Sequence, residues 1–365
     1  MKILVLTQGY PNKENPYAMS YVHTRNLNYI KFGHDVVNVS FSTEDSYSYE
    51  GVRVVADRSF KDEACKADLI VSHAPNFKNH FKRLLGIEGA RIVLFFHGHE
   101  VLRTYGDYPS PYSWQNEQWS KRLIKKLYDE VKIFFFPFAL KLLAKRNALS
   151  AIFVSDWMRG VFEKNIGKSS TLQFSRLDVI PNAVNEAFLK SQYSKSKNKK
   201  ADFVTIRPLD GRKYAADLVV DVARSNPEYL FHVYGKGSLF DYIDKPENIE
   251  WFDFFVPQSE MPELLNHYSV ALMPTRYDAQ GVMKCEMAAY GMPVVTSDIS
   301  IAREVLSGYG ASYFIDNDDV AKSFSDVLEE FDIFRLSSSS KIRERFDGEM
   351  LARKEINHFM GLANK

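Results

Sequence analysis

The chain has 365 residues, of which 45% are hydrophobic and 25% charged, and its formal net charge is +1. That length sets a prior of two domains, and the composition is that of a soluble globular protein. The near-zero charge gives no electrostatic case for binding nucleic acid. Two cysteines, Cys65 and Cys285, lie far apart, which argues against a disulfide framework or a zinc cluster and for a reducing compartment. No apolar run has the length of a membrane-spanning helix, and residues 3–6 read as a first buried strand rather than a signal peptide.

Strand and helix signals alternate from there. A Gln-Gly-Tyr-Pro loop at 8–11 follows the first strand, and a helix over 19–32 ends at Gly33. Strands are expected at 35–39, 52–55, 68–73 and 91–96, the last two ending in His73-Ala74-Pro75 and His97-Gly98-His99-Glu100. The layout is Rossmann-like, but the first loop lacks the G-x-G-x-x-G dinucleotide fingerprint. The tract 119–147 interleaves Lys and Arg with Leu, Ile and Phe, and Pro137 is expected to divide it into two helices. A strand at 151–155 leads into a helix capped by Ser155 or Asp156. Residues 178–182 close the first half, and the polar, basic stretch 190–200 is the best linker candidate.

A second series of strands is expected at 203–206, 229–234, 249–252 and 269–274, with helices at 215–225 and 261–267. The helix over 282–290 should stop at Gly291, which can take positive φ, and Pro293 precedes a strand starting at Val294. A short helix at 302–307, a strand at 313–315, a helix at 319–331, a spacer at 337–340 and a final helical stretch at 341–362 complete the pattern.

The chemistry centres on two carboxylates eight residues apart, Asp278 in a loop and Glu286 on the following helix. Their place is the C-terminal edge of a parallel sheet, where open α/β sheets bind ligands, and the helix N-terminus beside them suits an anion. Arg207 directly follows a strand, with Arg212 and Lys213 close behind. Paired cations of this kind suit a diphosphate, because charge-assisted bonds to phosphate are the strong ones. The backbone N–H groups of Gln280, Gly281 and Val282 add donors, and Glu286 is placed to accept from ribose hydroxyls. Asp278 would face the next moiety, a sugar. In the first half, His97 and His99 end a strand, and His23 and Arg25 sit on the first helix, either facing an acceptor or lying on the surface. Cys285 reads as a packed small residue.

Residues 278–295 resemble the donor-site motif of the GT-B fold, family-four-type ("group 1") glycosyltransferases, written E-x7-E with an A-x-x-x-G-x-P-V-V tail. Glu286 matches the second Glu, while Ala288, Gly291, Pro293, Val294 and Val295 keep most of the tail; Asp278 stands where the first Glu is usual. Arg207 with Lys213 resembles the family's diphosphate-binding Arg/Lys pair, one residue wider, which leaves Arg212 as a rival. His97-Gly98 resembles the His-Gly loop that touches the donor sugar, and Ser155-Asp156 and 179–182 match landmarks before the hinge.

The resemblance implies two Rossmann-like, doubly wound α/β domains facing across a cleft. Residues 1–185 would form the acceptor-side domain, 186–200 a linker, 201–340 the donor domain, and 341–365 a helix packing back on the first domain. It implies a retaining hexosyltransferase that takes sugar from a UDP- or GDP-type donor to a glycan or lipid-linked acceptor in bacterial surface polysaccharide or glycolipid synthesis. Asp278, Glu286 and His97 take the catalytic roles, and no metal or other cofactor is expected, the nucleotide sugar being a co-substrate. Other readings are another GT-B enzyme, such as a sugar-nucleotide epimerase or a phosphorylase, or a non-catalytic nucleotide-sugar-binding protein. The basic aromatic tract 121–146 is either a solvated face over a core or a helix pair on an anionic membrane surface. The expected location is cytoplasmic, peripheral on the inner face of the cell membrane.

Overall fold

A computed structural model describes residues 1–15, 18–115, 117–329 and 338–362. The chain divides into two compact units: Met1–Asp107, Ser120–Ala183 and Gly348–Lys365 form the first, and Tyr108–Trp119 with Val184–Asp347 the second.

The first unit is built on the strands β1 (Lys2–Thr7), β2 (Asp35–Ser40), β3 (Tyr47–Tyr49), β4 (Val52–Ala56), β5 (Leu69–His73), β6 (Arg91–Phe96), β7 (Ala148–Phe153) and β8 (Arg176–Val179). They form one sheet in the order β3-β4-β2-β1-β5-β6-β7-β8. All pairings are parallel except that of the short β3 with β4. Parallel strands are covered on both faces, which explains why Ile3, Leu4, Val5 and Leu6 are all buried without alternation. Ser155 caps the helix Asp156–Phe162, its hydroxyl accepting the Met158 N–H at 3.0 Å.

Pro137 does not divide the 119–147 tract. One 28-residue helix runs over Trp119–Arg146 with Pro137 inside it. A proline there forfeits one backbone hydrogen bond. Packing on both sides of it offsets the loss, since Ile133 and Phe136 before it and Ala139, Leu140 and Leu143 after it are buried. The Phe136 ring meets Phe81 and Phe77 edge-on at 5.1 and 5.7 Å.

The second unit carries β9 (Ala201–Ile206), β10 (Phe231–Tyr234), β11 (Ile249–Phe252), β12 (Tyr268–Met273), β13 (Val294–Ser297) and β14 (Ser312–Ile315). Their order, β11-β10-β9-β12-β13-β14, is fully parallel. The chain winds outward one way from β9 and the other way from β12. The two therefore flank a topological switch point, and ligands of such sheets bind beyond the strand C-termini there.

The expected linker at 186–200 is ordered within the second unit. It opens with the helix Glu186–Lys190. Tyr193 is buried, its N–H bonded to the Tyr290 carbonyl at 2.8 Å and its hydroxyl to the Tyr268 carbonyl at 2.6 Å. The final helical stretch is likewise two helices, Ser340–Phe346 in the second unit and Gly348–Met360 in the first, broken where Asp347 is extended. The latter packs on the helix Ser20–Lys31 through Phe359, edge-on to Tyr29 at 5.6 Å. The expected helix at 319–331 spans Val320–Glu329, and residues 330–331 and Ser337 lie outside the described residues.

Candidate functional site

At the switch point, β9 delivers Arg207 and β12 delivers the loop holding Asp278, as the sequence pattern requires. The Arg207 side chain is buried. Its Nη1 donates to the carbonyls of Tyr214 and Pro274, and Nη2 lies 3.6 Å from Met273 Sδ. Burial pulls its pKa down to about 10, and Nε has no hydrogen-bond partner. Arg212 and Lys213 form a short turn, Arg212–Tyr214. The Lys213 ammonium sits over the Tyr214 and Tyr108 rings at 4.8 and 5.7 Å.

Two residues absent from the sequence argument stitch that turn to the motif loop. Arg276 donates from its N–H to the Lys213 carbonyl at 2.9 Å and from Nη1 to the Arg212 carbonyl at 3.1 Å. Its guanidinium grips Asp217 in a bidentate pair at 2.6 and 2.8 Å. The Tyr112 hydroxyl adds a bond to the same carboxylate at 2.9 Å.

The motif helix is Val282–Tyr290, closed by Gly291 at φ 95°. Asp278 Oδ1 accepts the Gln280 N–H at 3.2 Å, turning the loop into the helix. Gly281 has φ 75°, and a Cβ there would lie 2.5 Å from Lys284 Nζ and 3.1 Å from Asp278 Oδ2. A side chain there would be strained by the positive φ, would displace the end of Lys284 and would crowd Asp278. Glu286 is buried on the helix, where its Oε1 accepts the Asn185 N–H at 3.1 Å and the Gln258 amide at 3.3 Å. Burial raises its pKa to about 7. Burial also pushes the Cys285 thiol up to about 12, in keeping with a packed, unreactive side chain. Lys284, in the helix's first turn, is buried as well. Sequence reasoning passed over it because a lysine on a helix normally reads as solvent-facing.

Arg207, Arg212, Lys213, Asp278, Gln280, Gly281, Val282 and Glu286 thus lie on the loops and helix that follow β9 and β12. His97, His99, His23 and Arg25 belong to the first unit. His97 follows β6, and its Nε2 shares a hydrogen bond with His73 Nδ1 at 3.0 Å. Burial holds both rings well below the ordinary imidazole pKa. Glu100 caps the loop, accepting the N–H groups of His97 and Gly98, and burial raises its pKa to about 7. His99 is exposed.

His23 is clamped between the Tyr10 hydroxyl at 2.8 Å and Glu50 at 3.0 Å. Arg25 is buried and engaged throughout, bonded to Glu355 at 2.8 Å, Asn182 at 2.7 Å and the Pro181 carbonyl at 3.0 Å. Both side chains therefore serve internal bonds of the first unit. Among the described residues no group of three His, Cys, Asp or Glu side chains is placed to hold a metal ion.

Two parallel-sheet α/β units, with cations and a buried glutamate at a switch point, define the GT-B glycosyltransferase fold. Solved structures share it along the whole chain. Sucrose-phosphate synthase from Thermosynechococcus elongatus superposes with a TM-score of 0.73 at 13% identity, covering 99% of both chains. Anabaena HepE in complex with UDP and glucose gives 0.68 at 13% identity, covering 99% of this chain and 100% of that one. Residues 204–331, within the second unit, match the family model of glycosyl transferases group 1. A poly(ribitol-phosphate) alpha-N-acetylglucosaminyltransferase of Staphylococcus aureus is 25% identical over 158 residues, 39% of this chain and 32% of that protein. The chain spans less than half the length of the curated relatives it matches, 47% and 32%.

Proposed function

We propose that the chain transfers a sugar from a UDP- or GDP-type nucleotide-diphosphate sugar, with retention, to a glycan or lipid-linked acceptor of a bacterial surface polysaccharide or glycolipid. The observation that carries this is Glu286: a buried carboxylate at the switch point, one helix turn from an anion-favouring N-terminus. In this reading Glu286 accepts from the ribose hydroxyls. Lys213, Arg212 and the free Nε of Arg207 meet the diphosphate, joined by the amides of Gly281 and Val282, while the Gln280 N–H expected to join them is held by Asp278 Oδ1. Asp278 acts on the sugar.

Transfer then needs positioning and charge stabilisation more than a side-chain base. The C1–O bond to the phosphate breaks with its electron pair passing to the phosphate oxygen. The acceptor oxygen bonds to C1, and its proton goes to the departing diphosphate. The cations hold the charge that develops, so no metal enters the scheme. The relatives support the class of substrates: one is crystallised with UDP and glucose, and another is named for N-acetylglucosamine transfer to a phosphate polymer.

The acceptor side of the reading includes a membrane surface. The helix Trp119–Arg146 exposes Ile124, Leu127, Phe134 and Phe138 beside Lys121, Arg122, Lys125 and Lys126. No described helix is long and apolar enough to cross a membrane, so this face would lie on the bilayer.

The test is a thermal-shift panel of nucleoside diphosphates and their sugars, followed by transfer assays with the sugar donor that binds. A ligand at 100 times its Kd stabilises by about 2.7 kcal/mol. Glu286→Ala should abolish transfer with folding intact; near-normal turnover would refute the assignment. Binding without transfer or hydrolysis would leave a nucleotide-sugar-binding protein instead.

A further inference from the structure

Lys284 is the buried cation of the second unit to which the donor scheme gives no task. Its side chain is 3% exposed, in the first turn of the motif helix. Among the described residues its ammonium forms neither a hydrogen bond nor an ion pair. An ammonium so largely withdrawn from water is costly to keep charged without an internal partner, so a ligand that supplies the counter-charge there would be favoured.

The surroundings say what is missing. A Cβ on Gly281 would lie 2.5 Å from Lys284 Nζ and 3.1 Å from Asp278 Oδ2, so the ammonium and the carboxylate flank the Gly281 backbone at the start of the helix. Arg207 is close enough to disfavour the charged lysine, while Asp278 favours both cations. One carboxylate therefore faces two buried positive groups, one of which, Arg207, also has an Nε–H with no acceptor. The Lys284 N–H bonds the Gly281 carbonyl at 3.2 Å, which leaves the Val282 and Met283 amides at the open end of the helix. A dianion entering here would meet two cations, spare N–H donors and the positive end of the helix together.

We propose that Lys284 is a direct ligand of the donor's sugar-bearing phosphate, the group that departs when the C1–O bond breaks. This rests on the donor-site reading and adds to it a third cation, on the helix itself, beyond the turn that carries Arg212 and Lys213. On this reading the lysine contributes to a preference for a diphosphate over a monophosphate.

Calorimetric titration of the full chain with UMP, UDP, GMP and GDP tests this, alongside Lys284→Met, Lys284→Gln and Lys284→Arg. The parent should prefer the matching diphosphate. In Lys284→Met and Lys284→Gln that preference should fall by at least about tenfold, the usual worth of a charged hydrogen bond, with monophosphate affinity unchanged. Lys284→Arg should keep most of it. The unliganded Met variant should melt no lower than the parent, since an unpaired buried charge has been removed.

A diphosphate preference that survives in both neutral variants would overturn the inference while leaving the donor site standing. So would an equal loss of monophosphate and diphosphate binding together with a lowered melting point, the signature of a packing role. A parent that binds none of the four nucleotides would instead overturn the donor-site reading on which it depends.

Discussion

The Glu286 carboxylate receives the Asn185 backbone N–H at 3.1 Å while almost wholly removed from water. One backbone bond and one amide from Gln258 do not replace the lost hydration, so burial wins and the pKa rises from 4.5 to about 7. The protonated form is thus favoured in the folded state. Between pH 4.5 and about 7 the unfolded chain releases this proton before the folded one does, so stability falls with rising pH through that window and then levels off. At roughly 1.4 kcal/mol per pH unit, the penalty above pH 7 is about 3 kcal/mol. Glu286→Gln should therefore stabilise the protein at pH 8 and leave it unchanged near pH 4.5. Urea melts at both values read this directly. A variant with the same gain at both pH values would show that the charge is not the cause.

The buried pair of Arg25 and Glu355 separates two roles for Arg25. The side chains are 4% and 1% exposed, and Tyr29 donates to the same carboxylate. Breaking such a pair by removing one partner costs about 3–5 kcal/mol. Arg25→Ala and Glu355→Ala should both lower stability by that order, with a double variant costing much less than the sum. If Arg25 served an acceptor instead, its loss would raise the acceptor KM at near-parental stability.

The pairing of Arg276 with Asp217 shows why part of the site was legible in the sequence and part was not. Asp278, Glu286, Gly291 and Pro293 stand in one short segment, where a loop, a helix and its stop follow from local rules. Arg276 and Asp217 lie 59 positions apart and carry no periodic signal. Only the fold brings them together, as it does His73 and His97. Polar composition concealed Tyr193, which anchors the stretch after the helix Glu186–Lys190 together with the Ser196 and Lys200 N–H groups on the Asn266 and His267 carbonyls. Pro137 misled for the opposite reason, since a local rule was outweighed by packing on both sides of it. Most parallel strands were readable along the chain because, buried on both faces, they are near-continuous apolar runs, whereas the short, half-exposed antiparallel β3 was not.

That same pair yields a prediction about donor affinity. Arg276 holds the Arg212 and Lys213 carbonyls, so releasing it from Asp217 frees the turn that presents Lys213. The two side chains are partly exposed, 17% and 18%, which places the cost below that of a fully buried pair, at about 1–2 kcal/mol. Asp217→Asn should lower stability by that amount and weaken nucleoside diphosphate binding more than nucleoside binding. Calorimetry with uridine and UDP distinguishes the two. Equal weakening of both would mean that the turn does not serve the phosphates.

The long helix Trp119–Arg146 provides the last prediction. Ile124 and Phe134 are 66% and 64% exposed, an unusual concentration of apolar surface for one helix face. Beside them a groove of about 450 Å³ runs between the helix and the Phe77–Leu85 segment, lined by Phe77, Leu85, Tyr128, Val131, Phe135 and Phe138. The acids on this helix are already neutralised, Asp129 by Lys132 at 2.8 Å and Glu130 by Arg103 at 2.7 Å. The basic side chains on this stretch, Lys121, Arg122, Lys125 and Lys126, outnumber those acids. Each basic residue near an anionic surface contributes about 1 kcal/mol, and the apolar side chains add insertion into the acyl boundary. The protein should sediment with anionic vesicles and poorly with neutral ones, and the preference should weaken as salt rises. Changing the four basic residues to Gln should remove the anionic preference. Changing Phe134 and Phe138 to Ser should reduce binding to both vesicle types. Equal binding to neutral and anionic vesicles, insensitive to either set of changes, would mean that this face meets something other than a lipid surface.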